Sequence, residues 1–223
     1  MKKSTHRDHF GIVLTLFLSF CSFVSCASSD PTKTDVVSAP SMYHRAESDI
    51  RTEIQPIMNA GKVLVVYYSQ GTAGRQVAED IAVLTGADLE EIKEVHERKT
   101  GFFGFMITGA ASTFKFSSKI EPPQRDTAQY DTVYVITPIW SWSLSPPVRS
   151  WLKLSAGKIR QAAFITISGD TKPDKVVKDM EKTGKVVPFA FVGYAERDFL
   201  PENRAVYVEK LKTILMGLSE SKP

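Results

Sequence analysis

Cysteine is nearly absent from this chain of 223 residues: there are two, Cys21 and Cys26, both close to the amino end. Beyond them no internal disulfide, cysteine nucleophile or cysteine-based metal site can be built. Histidine is scarce as well. His6, His9, His44 and His96 fall in the leading stretch or at expected surface positions, with no metal-ligand set among them. A charge imbalance is also missing. The formal net charge of +3 falls to +1 once Lys2, Lys3, Arg7 and Asp8 of the first 25 residues are set aside. That balance argues for neither a nucleic-acid surface nor a strongly acidic docking face. No apolar run is long enough for a comfortable membrane span; Phe10 to Phe20 is too short.

What the amino end does hold is a secretory leader, residues 1–25, with a basic start and a short apolar run. Phe23-Val24-Ser25-Cys26, followed by Ala27-Ser28-Ser29, resembles the lipobox of bacterial lipoproteins, with Phe23 where Leu is usual. That resemblance implies a lipid on Cys26. The alternative is an ordinary signal peptide cut after Ala27. Ala27-Ser28 places no Asp beside Cys26, which favours the outer membrane of a two-membraned cell. Residues 26–60 are rich in Ser, Thr, Asp and Pro and read as a tether, with a helical turn or two expected over Ser48–Ile54.

From Gly61 the pattern changes. Val63–Tyr67 is a continuous apolar run, as for a strand covered on both faces. Val77, Ile81 and Leu84 recur at helical spacing before Gly86. Leu89–Val95 reads as a half-exposed edge strand, and Ile107–Phe116 as a helix that either packs into the core or contacts substrate. Tyr130–Pro138 and Ala162–Ile167 are further strands. Ser145 is placed to cap a helix opened by Pro146, with Val148, Trp151 and Leu152 on one face. Lys172–Thr183 is a helix stopped by Gly184, Val186–Val192 a strand, and Glu202–Leu218 a last helix before a tail, residues 219–223. Five strands alternating with helices predict an α/β fold: a doubly wound, five-stranded parallel sheet with helices on both faces, over residues 61–218.

In such a sheet ligands bind beyond the carboxyl ends of the strands. Three loops leave those ends: Ser69-Gln70-Gly71-Thr72-Ala73-Gly74, Pro138-Ile139-Trp140-Ser141-Trp142-Ser143 and Ser168-Gly169-Asp170. None contains His, Cys or Glu, and Asp170 has no evident acid–base partner. Small residues, amides and two tryptophans without proton-transfer groups suit a bound cofactor that does the chemistry itself. No residue stands out as catalytic and no metal set is visible.

With those loops in view, the region from about Gly61 to Leu218 resembles the flavodoxin-like family. The match is carried by Val63–Val77, by Lys99–Phe105 through Ile120-Glu121-Pro122, and by Tyr130–Trp140 with Ser145–Leu152. The resemblance implies FMN, held non-covalently. Ser69 to Gly74 would hold its phosphate through the hydroxyls of Ser69 and Thr72 and the surrounding amides. Trp140 and Trp142 would stack on or flank the ring, with Ser168, Gly169 and Asp170 on its other side. Two departures stand out. Ala73 and Gly74 replace an Asn and a Thr of the usual phosphate loop, and Ser141-Trp142-Ser143 replaces a glycine-containing turn, which makes positive φ costly there.

Three functions follow from the resemblance. The first is an FMN-dependent redox protein at the cell envelope, exchanging electrons with a quinone-like molecule or a protein. The second is a scaffold that has lost FMN and serves as a binding or structural lipoprotein. The third is an NAD(P)H-dependent reductase.

Overall fold

The sheet starts with the run that the sequence marks most strongly. In a computed structural model, which describes residues 50–58, 60–95, 116–170 and 172–220, strand β1 (Val63–Tyr67) is buried at every position. The leader, the tether up to residue 49, the Gly101–Phe105 motif and all but Phe116 of the helix expected over Ile107–Phe116 lie outside the described residues. A single helical turn, α1 (Ile50–Glu53), precedes β1. Then come α2 (Thr72–Thr85), β2 (Asp88–Glu91), β3 (Thr132–Trp140), β4 (Ser143–Leu144), α3 (Pro146–Leu154), β5 (Gln161–Ser168), α4 (Asp174–Gly184), β6 (Ala190–Ala195) and α5 (Arg204–Glu220).

The strand order is β2-β1-β3-β5-β6, all parallel, as the alternating pattern predicts. The two-residue β4 is an addition: it folds back antiparallel on the end of β3. Side-chain alternation splits the core into two layers. Val63, Val65, Tyr67, Tyr134, Ile136 and Ile165 face α1, α2 and α5. Leu64, Val66, Val133, Val135 and Phe164 face α3 and α4. Burying each such side chain contributes about 1.5–3 kcal/mol, so the two apolar stripes per strand hold the helices on their faces.

Four local expectations change. Ser145 precedes α3 but makes no capping bond; its hydroxyl pairs with Thr137 Oγ1 at 3.0 Å. Pro146 and Pro147 have no N–H, so the first turn offers little for a cap to satisfy. Gly184 stays inside α4, and Lys185 takes the left-handed C-cap position at φ 54°. The last strand is Ala190–Ala195 rather than Val186–Val192, because Pro188 cannot join a ladder through a missing donor. The edge strand also ends early, at Glu91.

Candidate functional site

β1 and β3 are neighbours whose following helices, α2 and α3, lie on opposite faces, so a crevice opens beyond their carboxyl ends. The first loop leaves β1 there. Tyr68 N still donates to Ile136 O at 3.3 Å, and the chain then turns into α2. Gly71 is the N-cap residue in extended conformation, with no side-chain cap, and the first turn holds no acidic residue. The opening amides of α2 therefore lack an intramolecular side-chain acceptor, and the helix dipole adds positive potential at the same place. Ser69 folds inward: its Oγ donates to Gly71 O at 2.5 Å and lies 3.4 Å from Gly71 N.

Gly74 makes this arrangement possible. A Cβ at that position would sit 3.0 Å from both Ser69 Cβ and Ser69 Oγ and 3.4 Å from Tyr68 O. The glycine that removes a side-chain donor from the loop thus lets the helix begin directly against Ser69. Gln70, Gly71 and Thr72 are exposed and Ala73 is half-buried.

The second loop departs most from expectation. β3 runs past its last pair with β1, Ile136 with Tyr67, and keeps only β5 and β4 beside it. Pro138 lies in that stretch, opposite Ile167. Ile139 pairs with Leu144 and Trp140 with Ser143, leaving Ser141 and Trp142 as a two-residue turn. Both have positive φ, 48° and 57°. The sequence argues against this backbone, but a two-residue hairpin matches strand twist only with both central residues left-handed. Each costs roughly 1–2 kcal/mol without glycine. The turn lifts the Trp142 side chain into solvent, 71% exposed. Trp140 is half-buried and meets Tyr68 edge to face, with centroids 5.6 Å apart and planes at 83°.

Tyr68 links the first two loops, and sequence reading missed it. Its hydroxyl donates to Glu94 at 2.9 Å, and Arg75 of α2 reaches Glu91 at 3.4 Å. The edge of the crevice therefore carries two carboxylates, supplied by and just beyond β2 rather than by the three loops. Burial, with Glu91 nearby, raises the Tyr67 phenol above its ordinary range, while Arg75 pulls it back.

Ser168 ends β5 opposite Ala195 of β6, and Gly169 and Asp170 are exposed beyond it. Asp170 does have a partner: Arg197 Nη2 lies 3.3 Å away, between exposed side chains. An exposed pair of this kind contributes little to stability. The topology brings all three loops to one edge of adjacent strands β1, β3 and β5, and Tyr68 joins the first to the second. Among the described residues no group of His, Cys, Asp and Glu could hold a metal, and no helix is long and apolar enough to cross a membrane.

The flavodoxin family model matches residues 62–189. No curated protein matches the sequence. Among solved structures, a flavoprotein from Lactobacillus acidophilus in complex with FMN is 20% identical at a TM-score of 0.52, covering 62% of this chain and 94% of that one. Proteins from Bacteroides eggerthii and Bacteroides uniformis, both assigned as flavoproteins, are each 19% identical, with TM-scores of 0.51 and 0.50. They cover 70% and 66% of this chain and 98% of each of theirs. At these identities the likeness establishes the fold, which the strand order shares. The family match spans more than half of the sequence, through the first loop, the hairpin and the third loop: the chain belongs to the flavodoxin family.

Proposed function

We propose that the protein binds FMN non-covalently at the carboxyl edge of β1, β3 and β5 and works as an electron-transfer flavoprotein. The observation that carries this reading is the start of α2, where a side-chain-free cap and a close-packed Gly74 leave backbone amides for an anion. FMN supplies reversible redox chemistry when bound. Ser69, Gln70, Gly71, Thr72, Ala73 and Gly74 would hold the phosphate mainly through backbone N–H groups. The Ser69 hydroxyl would turn from Gly71 to donate outward, beside that of Thr72.

Trp140, steadied by Tyr68, and the exposed Trp142 would cover one face of the ring with Pro138, Ile139 and Ser141. Ser168, Gly169 and Asp170 would border the other side. Loss of the Asn and Thr donors at Ala73 and Gly74 removes about 1.5–3 kcal/mol per charge-assisted bond, so binding rests on the amides and the tryptophans. Family membership and the FMN complex of the Lactobacillus protein support the reading. We also assign lipid attachment to Cys26 at the cell envelope, from the sequence pattern; loss of acyl-label incorporation in Cys26→Ala tests it.

Fluorescence titration tests the flavin. FMN emission is expected to be quenched on adding purified protein, with a rise in melting temperature. Unchanged emission and unchanged melting at saturating protein would instead support a scaffold that has lost its cofactor, the reading that the two missing side-chain donors favour. Bleaching of bound flavin by NAD(P)H would move the assignment to a reductase, and a quinone-like acceptor would then be sought by reoxidation.

A further inference from the structure

Arg75 is a cation at the positive end of a helix. It is the fourth residue of α2, and the first turn holds no acid to offset it. Helical side chains lean towards the amino end of their helix, so this one lies back over the turn that opens the Ser69–Gly74 cradle. Its single hydrogen-bond partner among the described residues is Glu91, the last residue of β2. Nη2 lies 3.4 Å from both carboxylate oxygens, and Nε and Nη1 make no bond there. Charge-assisted bonds of this type usually measure about 2.7–2.9 Å, and the two side chains are 53% and 33% exposed. The pair is long, wet and weakly held.

Strand register brings this guanidinium level with the cradle. Glu91 pairs with Tyr67 across the ladder between β2 and β1, one strand spacing of about 4.8 Å away, and Tyr67 stands two residues before Ser69. Burial raises the Tyr67 phenol and Glu91 adds to the rise, while Arg75 opposes both. The other acids of this edge are engaged elsewhere or stand apart. Glu94 accepts from Tyr68, Asp88 from Tyr130 with Arg125 beside it, and Glu79 is exposed one turn further along α2. The loop itself carries no cation: Ala73 and Gly74 offer no side-chain donor, and the Ser69 hydroxyl is turned to Gly71 O. A phosphate dianion there would meet amide dipoles and neutral hydroxyls only, unless Arg75 leaves Glu91.

We propose that Arg75 exchanges Glu91 for the phosphate of the flavin nucleotide and so selects FMN over riboflavin. The assignment rests on the flavin reading of the cradle. The exchange costs little, because an exposed pair of this kind contributes little. The guanidinium brings a planar fork of donors that matches phosphate geometry, in place of the two side-chain donors missing from the loop. Glu91 competes with the phosphate for the same guanidinium and repels it through its own charge. Neutralising Glu91 therefore favours the ligand on both counts.

Titrations of the purified protein with FMN and with riboflavin, at low salt, test this. Arg75→Gln is expected to weaken FMN binding by about tenfold or more and riboflavin binding by less than about twofold. Arg75→Lys keeps the charge but not the fork, and should end about threefold below the wild type for FMN. Glu91→Gln should tighten FMN binding about threefold and leave riboflavin binding unchanged. Lys178→Gln, an equal change of net charge at an exposed position of α4, should alter neither. Melting curves confirm that the variants fold. FMN binding left unchanged by Arg75→Gln, equal losses for FMN and riboflavin, or weaker FMN binding in Glu91→Gln would overturn the role of Arg75 and leave the flavin site standing. Failure of the wild-type protein to bind FMN would overturn the site, and this role with it.

Discussion

The Ser69–Gly74 loop and the Trp140–Ser143 hairpin meet at one edge of the sheet, and they are built in opposite ways. The first relaxes into its place: Gly71 caps without a side chain, and Gly74 removes the one clash that would hold α2 away from Ser69. The second is held against local preference, with Ser141 and Trp142 both left-handed and a tryptophan turned out to solvent. Strain of this sort persists only where surrounding structure imposes it, and such sites cluster at ligand clamps. The fold thus offers a backbone cradle on one side of the crevice and a forced aromatic platform on the other.

Filling the cradle gives the largest effect. Gly74→Val places a branched side chain against Ser69 and Tyr68 O, and should cost about 2 kcal/mol of stability. It should also weaken FMN binding by about a hundredfold, the equivalent of one or two charge-assisted bonds. Equilibrium unfolding and flavin titration read the two quantities, and an unchanged affinity would remove the loop from the phosphate site.

Relaxing the platform should act with opposite signs. Trp142→Gly relieves a left-handed residue and is expected to stabilise the free protein by about 1 kcal/mol, while FMN affinity falls about tenfold for lack of a ring to stack on. A gain in stability with no loss of affinity would make the turn structural only. A gentler change sharpens the cradle. Gly71→Asp supplies an N-cap acceptor worth about 0.5 kcal/mol, and its charge, standing where the phosphate would sit, should reduce affinity about tenfold.

The smallest effect is on pH dependence. Tyr67 leads into the cradle and Tyr134 lies in β3 below the platform; burial raises both phenols, and only Tyr67 has Arg75 pulling it back. In the unfolded chain both ionise near pH 10. Their contribution is therefore full below about pH 10 and is lost as pH rises through the folded values. Because that loss starts at the shared unfolded value, Tyr67→Phe and Tyr134→Phe should each reduce it by a similar amount just above pH 10. Thermal melts across about pH 9 to 11 decide this. Tyr134→Phe should itself be neutral or slightly stabilising, because its buried hydroxyl has no partner among the described residues.

Much of the sheet was legible. Val63–Tyr67, Tyr130–Pro138 and Ala162–Ile167 are apolar runs, and a strand covered on both faces needs no more specific signal. Gly86 marked the end of α2 and does adopt the left-handed C-cap. The positions of the three loops followed from strand ends alone. The hairpin did not, because its turn lacks the glycine by which such turns are recognised. Nor did Tyr68–Glu94 or Asp170–Arg197, pairs separated by 26 and 27 residues.

Local chemistry in the sequence determined which segments become strands, where helices begin, and that the loop after β1 offers amides with few side chains. Periodicity and backbone stereochemistry act over a few residues, so they can be read in order along the chain. Tertiary structure decided the rest: that Ser141 and Trp142 accept a left-handed turn, that Gly74 packs on Ser69, and that Glu91 and Glu94 find partners at the crevice edge. Those outcomes depend on strand twist and on contacts between distant segments, and they exist only once the sheet has brought its carboxyl ends together.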